Sequence, residues 1–145
     1  MKKKSSKYIL LILALLAVII VAIGFEIWNT PHRNIKDAVA LKTNAIALYQ
    51  SLANDSSHSE PMYVNKVVAV TGTIKQVMKN QKKQQVILLQ TGVDGGSVNC
   101  TMEKNIANIK EGDTITIKGI CMGYSGEDLE LQLQGDVFLI RCYGS

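Results

Sequence analysis

The chain has 145 residues and a formal net charge of +4, but four of its lysines precede residue 8. Beyond residue 28 there are twelve basic and eleven acidic residues. A general binder of nucleic acid or of membrane surfaces is normally more basic than this nearly neutral remainder, so the composition does not favour that class. The three cysteines include no C-x-x-C pair, which excludes the motif of a thioredoxin-type redox protein and disfavours a zinc site.

An apolar segment without charge or amide side chains runs from Tyr8 to Phe25, directly after the N-terminal lysines. Its length is close to the about 20 residues that a helix needs to cross the bilayer core. Because lysines flank its start and Trp28 follows its end, we predict a cytoplasmic tail at residues 1–7 and a transmembrane anchor at residues 8–28, with the remainder outside the cytoplasm. A signal peptide cleaved near Gly24, which would leave a secreted protein, is the alternative.

Residues 29–60 are predicted to form an amphipathic helix followed by a loop. Thr30-Pro31 and Asn34 are both suitable starts for the helix. Apolar residues then recur at spacings of three and four, which places them on one helical face: Ala38, Leu41, Ala45, Leu48 and Leu52. The polar run from Asn54 to Pro61 predicts the loop. We expect the apolar face to pack on the domain that follows, with contact to another membrane protein as the alternative.

From Tyr63 onward the hydrophobic period changes to two, which predicts β-strands. Five strands are expected, namely one to about Met78, then Gln85–Gln90, Ser97–Met102, a fourth from about Ile115 to Cys121, and Val137–Tyr143. A short helical connection is expected at Lys104–Ile109, and a small hairpin at Asp128–Leu133. Five strands with a helix between the third and the fourth are typical of an OB-fold barrel, which we assign to residues 61–145.

Four segments make the assignment more specific: WNTPHR at Trp28–Arg33, VNCTME at Val98–Glu103, KGICMGY at Lys118–Tyr124 and LIRCY at Leu139–Tyr143. Their combination resembles the tRNA-anticodon-binding-like (tRNA_anti-like) OB-fold family of small exported bacterial proteins. The resemblance covers nearly all of Trp28 to Tyr143. It implies the OB fold, and it does not imply tRNA as the ligand. Some relatives look like lipoproteins, whereas this chain has no cysteine before Cys100 that would carry a lipid.

The candidate ligand face follows from the OB architecture. OB domains bind across their second and third strands, between the loops that join strands one to two and four to five. Here the first loop is basic and the second, Gly123–Gly135, is acidic, and the candidate ligand-face residues are Lys75, Lys79, Lys82, Lys83 and Tyr124. A solvated loop is the alternative for the lysines. Because the second and third strands contain no aromatic residue on which bases would stack, single-stranded nucleic acid is disfavoured as the ligand.

The predicted third, fourth and fifth strands each contain one cysteine that alternates with apolar residues, as Cys142 does with Phe138 and Ile140. All three cysteines are therefore predicted to be buried. We predict one disulfide, Cys121–Cys142, because the fourth and fifth strands of an OB barrel are neighbours. Cys100 is then free or is the alternative partner of Cys142. No metal site, cofactor site or catalytic motif is predicted.

The sequence thus predicts a mainly β protein: a five-stranded OB-fold barrel with a preceding amphipathic α-helix and an N-terminal transmembrane helix. The predicted function is that of a non-catalytic binding module, anchored in the lipid bilayer through residues 8–28, that recognises an envelope protein or glycan outside the cytoplasm. The alternatives are a structural spacer of the envelope and a single-stranded nucleic-acid binding protein.

Overall fold

The structure is a computed structural model that describes residues 2–28, 35–128, 130–131 and 133–145. The chain divides into two compact units, Met1–Asn34 and Ile35–Ser145. The first contains helix α1 (Lys2–Trp28). Its segment Lys7–Phe25 has a mean hydropathy of 3.1, and none of it is buried in the protein. The segment is long and apolar enough to cross a membrane, a property that signal sequences share.

The second unit is mainly β. Its elements are β1 (Leu41–Asn44), α2 (Ala45–Asn54), α3 (Ser56–Tyr63), β2 (Val67–Lys79), β3 (Gln85–Gln90), β4 (Ser97–Met102), β5 (Thr114–Tyr124) and β6 (Val137–Gly144). Strands pair in the order β2, β3, β4, β6, β5, and β5 returns to β2, which closes a five-stranded barrel. All of these pairings are antiparallel except β4 with β6, which is parallel. The predicted OB-fold order is confirmed.

Strand β2 serves both halves of the barrel. Its residues Val67–Thr73 pair with β5, whereas Ile74–Lys79 pair with β3, and the register shifts between Ile74 and Gln76. Gly72 lies just before this bulge, and a Cβ there would come within 2.8 Å of the Ala45 Cβ. The missing side chain at this position therefore lets α2 begin directly against the strand.

Helix α2 contributes to the barrel core. Leu48 and Leu52 are completely buried, and they join the side chains of all five barrel strands in one hydrophobic cluster. The helix begins where the Asn44 side chain accepts a hydrogen bond of 2.7 Å from the Ala47 N–H, a typical N-cap. The amphipathic helix expected before the barrel is thus present, and its apolar face packs on the barrel.

The predicted start of that helix was wrong. Leu41 belongs to β1, which pairs in parallel with β2 from Leu41 opposite Val68 to Asn44 opposite Thr71. Because Asn44 is extended and caps the helix, the residues before it are free to add a strand beside β2. Ala38 therefore lies outside the helix as well. The proposed starts at Thr30-Pro31 and Asn34 lie outside the described residues.

Two connections also differ from the prediction. The run Asn54–Pro61 contains helix α3, whose first turn is closed by a hydrogen bond from Ser59 N–H to the Asp55 carbonyl. Lys104–Ile109 is not helical. Its backbone at Ile106 instead bonds twice to the buried Gln85 side chain, with the Ile106 N–H donating at 2.7 Å and its carbonyl accepting at 3.1 Å. These two hydrogen bonds from the Gln85 side chain satisfy the N–H and carbonyl groups of Ile106, which a helix would have paired within itself.

Candidate ligand-binding face

A row of four side chains crosses the outer face of the barrel. Cα pairing aligns Gln76 of β2 with Leu88 of β3, Leu88 with Asn99 of β4, and Asn99 with Phe138 of β6. Residues paired in this way share a face of the sheet. The flanking partners Leu89 and Val98 are completely buried, so the four point away from the core. We call Gln76, Leu88, Asn99 and Phe138 the ligand row.

Phe138 is the functional candidate that the sequence analysis missed. Its side chain is 38% exposed although it lies on a central strand of the barrel. The predicted alternation had placed it in phase with Cys142. The structure puts Val137, Leu139 and Cys142 inside instead, because Arg141 adopts a positive φ of 52° and the register shifts beside it. One aromatic ring therefore stands next to the third barrel strand, β4.

The turn between β2 and β3 holds three lysines at one end of this face. We call Lys79–Lys83 the basic turn. The Asn80 side-chain oxygen accepts hydrogen bonds of 3.0 Å from the backbone N–H groups of Lys82 and Gln84, which fixes the turn. Lys79, Lys82 and Lys83 have exposed side chains and form no ion pair with another described residue. The structure thus brings these three predicted ligand-face residues together.

Lys75 lies apart from the basic turn. It follows Ile74, which pairs with Leu89, whereas Lys79 pairs with Gln85 at the other end of β3. Four residues of strand separate the two positions, or about 13 Å. Lys75 instead lines a cavity of about 340 Å³ with residues of the β3–β4 turn, including Asp94. The predicted lysine cluster is therefore two separate features.

The loop between β5 and β6 borders the opposite end of the face. Asp136, at the end of this loop, accepts hydrogen bonds from the N–H and the hydroxyl of Ser97, at 2.8 and 2.7 Å, where β4 begins. The expected small hairpin is present as a bridge between Asp128 and Leu133. The basic turn and this acidic loop thus flank the ligand row from opposite ends, as the OB architecture predicted.

Tyr124, the remaining candidate, is partly buried and packs against the barrel core. Its ring meets that of Tyr49 edge-on, with centroids 5.6 Å apart, and its hydroxyl is buried. The Tyr49 hydroxyl donates a hydrogen bond of 2.9 Å to the Gly135 carbonyl. Burial raises the pKa of Tyr49 well above its usual value, and the neighbouring Tyr124 raises it further. We call Tyr49, Tyr124 and Gly135 the closed end of the barrel.

The three cysteines are completely buried and are free thiols, so the predicted disulfide between Cys121 and Cys142 is not formed. The strand register explains this, because Cys121 pairs with Leu139 while the Cys142 thiol faces Gly119, where a Cβ would come within 2.5 Å of it. The neighbour of Cys142 is Cys100, whose pKa is raised by the hydrogen bond with Cys142 and by burial.

The ligand row can recognise a ligand through hydrogen bonds and aromatic contacts. Two amides offer hydrogen-bond donors and acceptors, Phe138 offers an aromatic face, and none of the four side chains titrates. Across the described part of the chain, no three His, Cys, Asp or Glu residues are grouped so that they would hold a metal ion.

Comparison with known proteins gives one family and a distant structural likeness. The tRNA_anti-like family model matches residues 1–134. A crystal structure of a protein assigned as an aspartyl-tRNA synthetase from Leishmania major Friedlin is similar over 80% of this chain, with 10% identity and a TM-score of 0.44. This chain spans only 22% of the length of that protein. No curated protein sequence matches the chain.

Proposed function

Because the chain belongs to the tRNA_anti-like family of OB-fold proteins, we propose that it is a non-catalytic binding module, tethered to a membrane by α1, which recognises an envelope glycan or protein segment. The lysines before Tyr8 and the tryptophan at position 28 support an orientation with residues 1–7 in the cytoplasm and the barrel outside it. The barrel is then the recognition element, and α1 is the anchor.

The observation that carries this proposal is the ligand row. OB folds bind oligosaccharides and oligonucleotides on the face of their second and third strands, which here are β3 and β4. The row crosses these strands and continues onto β6 without an acidic side chain. An extended polymer running across the strands would meet an amide, a leucine, a second amide and an aromatic ring in turn.

The two amides and the aromatic ring of the row suit a neutral polymer of sugars or a peptide backbone. Gln76 and Asn99 pair with hydroxyl or peptide groups, which both donate and accept hydrogen bonds. Phe138 covers the apolar face of a sugar ring or a side chain. The exposed lysines of the basic turn add attraction toward anionic groups at one end of the polymer.

Single-stranded nucleic acid is the second candidate, and Phe138 favours it more than the sequence suggested. A base stacked on an aromatic side chain gains about 1–3 kcal/mol, and the basic turn would attract the phosphate backbone. The ligand row nevertheless offers one ring, on β6, and none on β3 or β4. We therefore rank nucleic acid below a glycan or protein partner.

The experiment is a binding titration with the full-length protein in micelles of a neutral detergent. Soluble fragments of envelope glycan and single-stranded oligonucleotides of matched length are the probes, and Phe138→Ala is the test variant. Met62→Ala, which truncates a 58% exposed apolar side chain on α3, is the matched control. We expect Phe138→Ala to weaken binding of the preferred probe about tenfold, the loss of about 1.4 kcal/mol.

The outcomes separate the three function classes. Glycan binding that depends on Phe138 supports the first proposal. Oligonucleotide binding that depends on Phe138 and weakens steeply with salt supports the second candidate. Binding that is unchanged in Phe138→Ala contradicts the assignment of the ligand row. If neither probe binds and cross-linking in native membranes finds no protein on this face, the barrel is a structural spacer.

The proposed orientation has its own test. A reporter enzyme that matures only outside the cytoplasm, fused after Ser145 of the full chain, is expected to be active and to sediment with membranes. Activity in the soluble exported fraction would instead indicate cleavage near Gly24. An inactive reporter would contradict the orientation.

A further inference from the structure

A second cavity of the Ile35–Ser145 unit combines cationic and apolar walls. Its volume is about 480 Å³, within the usual range for small-molecule sites. Lys36 and Lys104 line it, together with apolar groups that include Ile106, Ile115 and Tyr143. It shares no lining residue with the ligand row. We call it the lysine cavity.

Positive charge is concentrated at the lysine cavity. The Lys36 ammonium lies 5.0 Å from the centroid of the Tyr143 ring, a cation–π contact. The Lys118 ammonium donates a hydrogen bond of 2.7 Å to the Lys36 carbonyl, which brings a third cation beside the cavity. Neither Lys36 nor Lys104 forms an ion pair with another described residue. The nearest acids in the sequence, Asp37 and Glu103, are not among the lining residues.

The basic surface extends beyond the cavity along the sheet. Lys42 of β1 and Lys118 of β5 both pair with Ala69 of β2, one on each side of it. Lys118 in turn pairs with Tyr143 of β6. Because paired residues share a face, Lys42, Lys118 and the Tyr143 ring stand in one row that leads to the cavity.

The apolar wall of the cavity is fixed in place. The buried Gln85 side chain holds both backbone groups of Ile106. The Ile106 side chain packs so closely on β6 that a Cβ at Gly144 would come within 2.7 Å of it. A ligand would therefore meet a preformed surface, which lowers the ordering cost of binding.

We propose that the lysine cavity binds the headgroup of an anionic phospholipid. Lys36 and Lys104 would contact the phosphate, and the apolar wall would cover the glycerol and the first methylene groups. A cavity with a cationic rim and an apolar wall matches an amphiphilic anion in charge and in polarity. This inference rests on the membrane tether of the proposed function. Seven residues separate Trp28 from Lys36 in the sequence, and so short a tether gives the domain a high effective concentration of bilayer lipid.

The test uses the full-length protein reconstituted in vesicles of neutral phosphatidylcholine, with or without phosphatidylglycerol. A photoreactive amino acid replaces Ala107, an exposed residue that lines the cavity. Mass spectrometry then quantifies the lipid adducts. We expect adducts to phosphatidylglycerol to exceed its share of the lipid. The double variant Lys36→Gln/Lys104→Gln is expected to lower this excess by up to about twenty-five-fold, two factors of about five, since each lysine that contacts an anionic headgroup is worth about 1 kcal/mol.

A matched control separates a specific site from general surface charge. Lys66→Gln/Lys110→Gln removes the same charge from exposed positions that do not line the cavity, and it is expected to leave the adducts unchanged. An equal fall in both double variants would overturn the site. Adducts to phosphatidylcholine in proportion to its share would also overturn it, since they would indicate an unspecific apolar contact.

Two further readouts separate this proposal from the tether and from other phosphates. Flotation with the vesicles after alkaline carbonate reports insertion of α1 by itself. Flotation without enriched phosphatidylglycerol adducts overturns the lysine cavity alone, and no flotation overturns the tether together with the lipid assignment. If a single-stranded oligonucleotide removes the adducts at concentrations where soluble glycerol phosphate does not, the cavity serves nucleic acid and the lipid proposal fails.

Discussion

The closed end and the basic turn lie at different ends of one barrel, and they differ in whether their side chains are buried or exposed to solvent. At the closed end, Tyr49 bonds to the Gly135 carbonyl, its ring contacts Tyr124, and its side chain is 2% exposed. At the basic turn, Asn80 secures the backbone while the lysine side chains remain in solvent. At the closed end polar and aromatic side chains are satisfied inside the protein, whereas at the basic turn three lysine side chains are left in solvent. Substitutions are therefore expected to separate stability from binding.

The largest effect on stability is expected beside the closed end, at Leu48. Leu48→Ala removes a completely buried side chain of α2 and is expected to lower the free energy of unfolding by about 2–5 kcal/mol. Denaturant unfolding of the full-length protein in neutral detergent measures this loss. Ile46→Ala, on the same helix but 48% exposed, is the control and should change it by less than about 0.5 kcal/mol. Equal losses would mean that α2 does not seal the barrel.

A smaller loss is expected from Tyr49→Phe. The substitution keeps the ring but leaves the buried Gly135 carbonyl without its hydrogen bond, which costs about 1–3 kcal/mol. The same unfolding measurement applies, with the exposed Tyr8→Phe as the control. A Tyr49→Phe protein as stable as the wild type would show that the hydroxyl contributes nothing to the closed end.

The same tyrosine predicts an alkaline limit to stability. Burial raises the pKa of Tyr49 above its usual value of 10, so above that pH the unfolded chain loses the Tyr49 proton while the folded chain keeps it. The contribution is complete below pH 10 and is lost progressively as the pH rises above it. We expect the free energy of unfolding, measured from about one unit below to about one unit above the usual tyrosine pKa of 10, to fall more steeply with pH for the wild type than for Tyr49→Phe. Parallel declines would contradict this assignment.

At the basic turn, Asn80→Ala is expected to cost about 1 kcal/mol, because two backbone N–H groups lose their acceptor but regain water. The loss should be local. Hydrogen exchange is expected to accelerate at Lys82 and Gln84 and to remain unchanged in α2. Faster exchange in α2 as well would show that the two ends are not independent.

The smallest effect on stability is expected from replacing Lys79, Lys82 and Lys83 together by glutamine. Exposed side chains without ion pairs usually change stability by less than about 0.5 kcal/mol. Binding of an anionic ligand should weaken, and its dependence on salt should become shallower. A variant that is clearly less stable, or one whose binding keeps the wild-type salt dependence, would contradict the separation of the two ends.

The parts of the fold that were predictable are those encoded by local alternation. Strands β2, β4 and β5 show a period of two in their own residues, whereas β3 is a continuous apolar run from Val86 to Leu89 that was predicted from its place between two turns. The small hairpin at Asp128–Leu133 was predicted within the loop that follows β5. The start of α2 was not predictable, because Leu41 continues the helical spacing, and only its pairing with Val68 makes it a strand. The missing helix at Lys104–Ile109 depends on Gln85, about twenty residues earlier in the chain.

The ligand row shows the same limit. Its position on the second and third strands follows from the OB order, but Phe138 joins it through a parallel pairing with Asn99 that no local pattern reveals. The bulge at Arg141 also reverses the phase in which Phe138 and Cys142 were read. The run from Val137 to Ile140 is apolar throughout, so it shows no alternation from which the outward position of Phe138 could have been predicted.

The most direct test of the ligand row uses the methionine methyl groups as reporters in NMR spectra of the full-length protein. Met78 pairs with Val86 beside the row, and Met122 immediately precedes Gly123, which pairs with Phe138. Both methionine side chains are exposed. Met102 is buried in the core, and Met62 lies on α3. On titration with envelope glycan fragments, we predict shifts at Met78 and Met122 while Met62 and Met102 stay fixed. Shifts at Met62 without change at Met78 and Met122 would contradict the account.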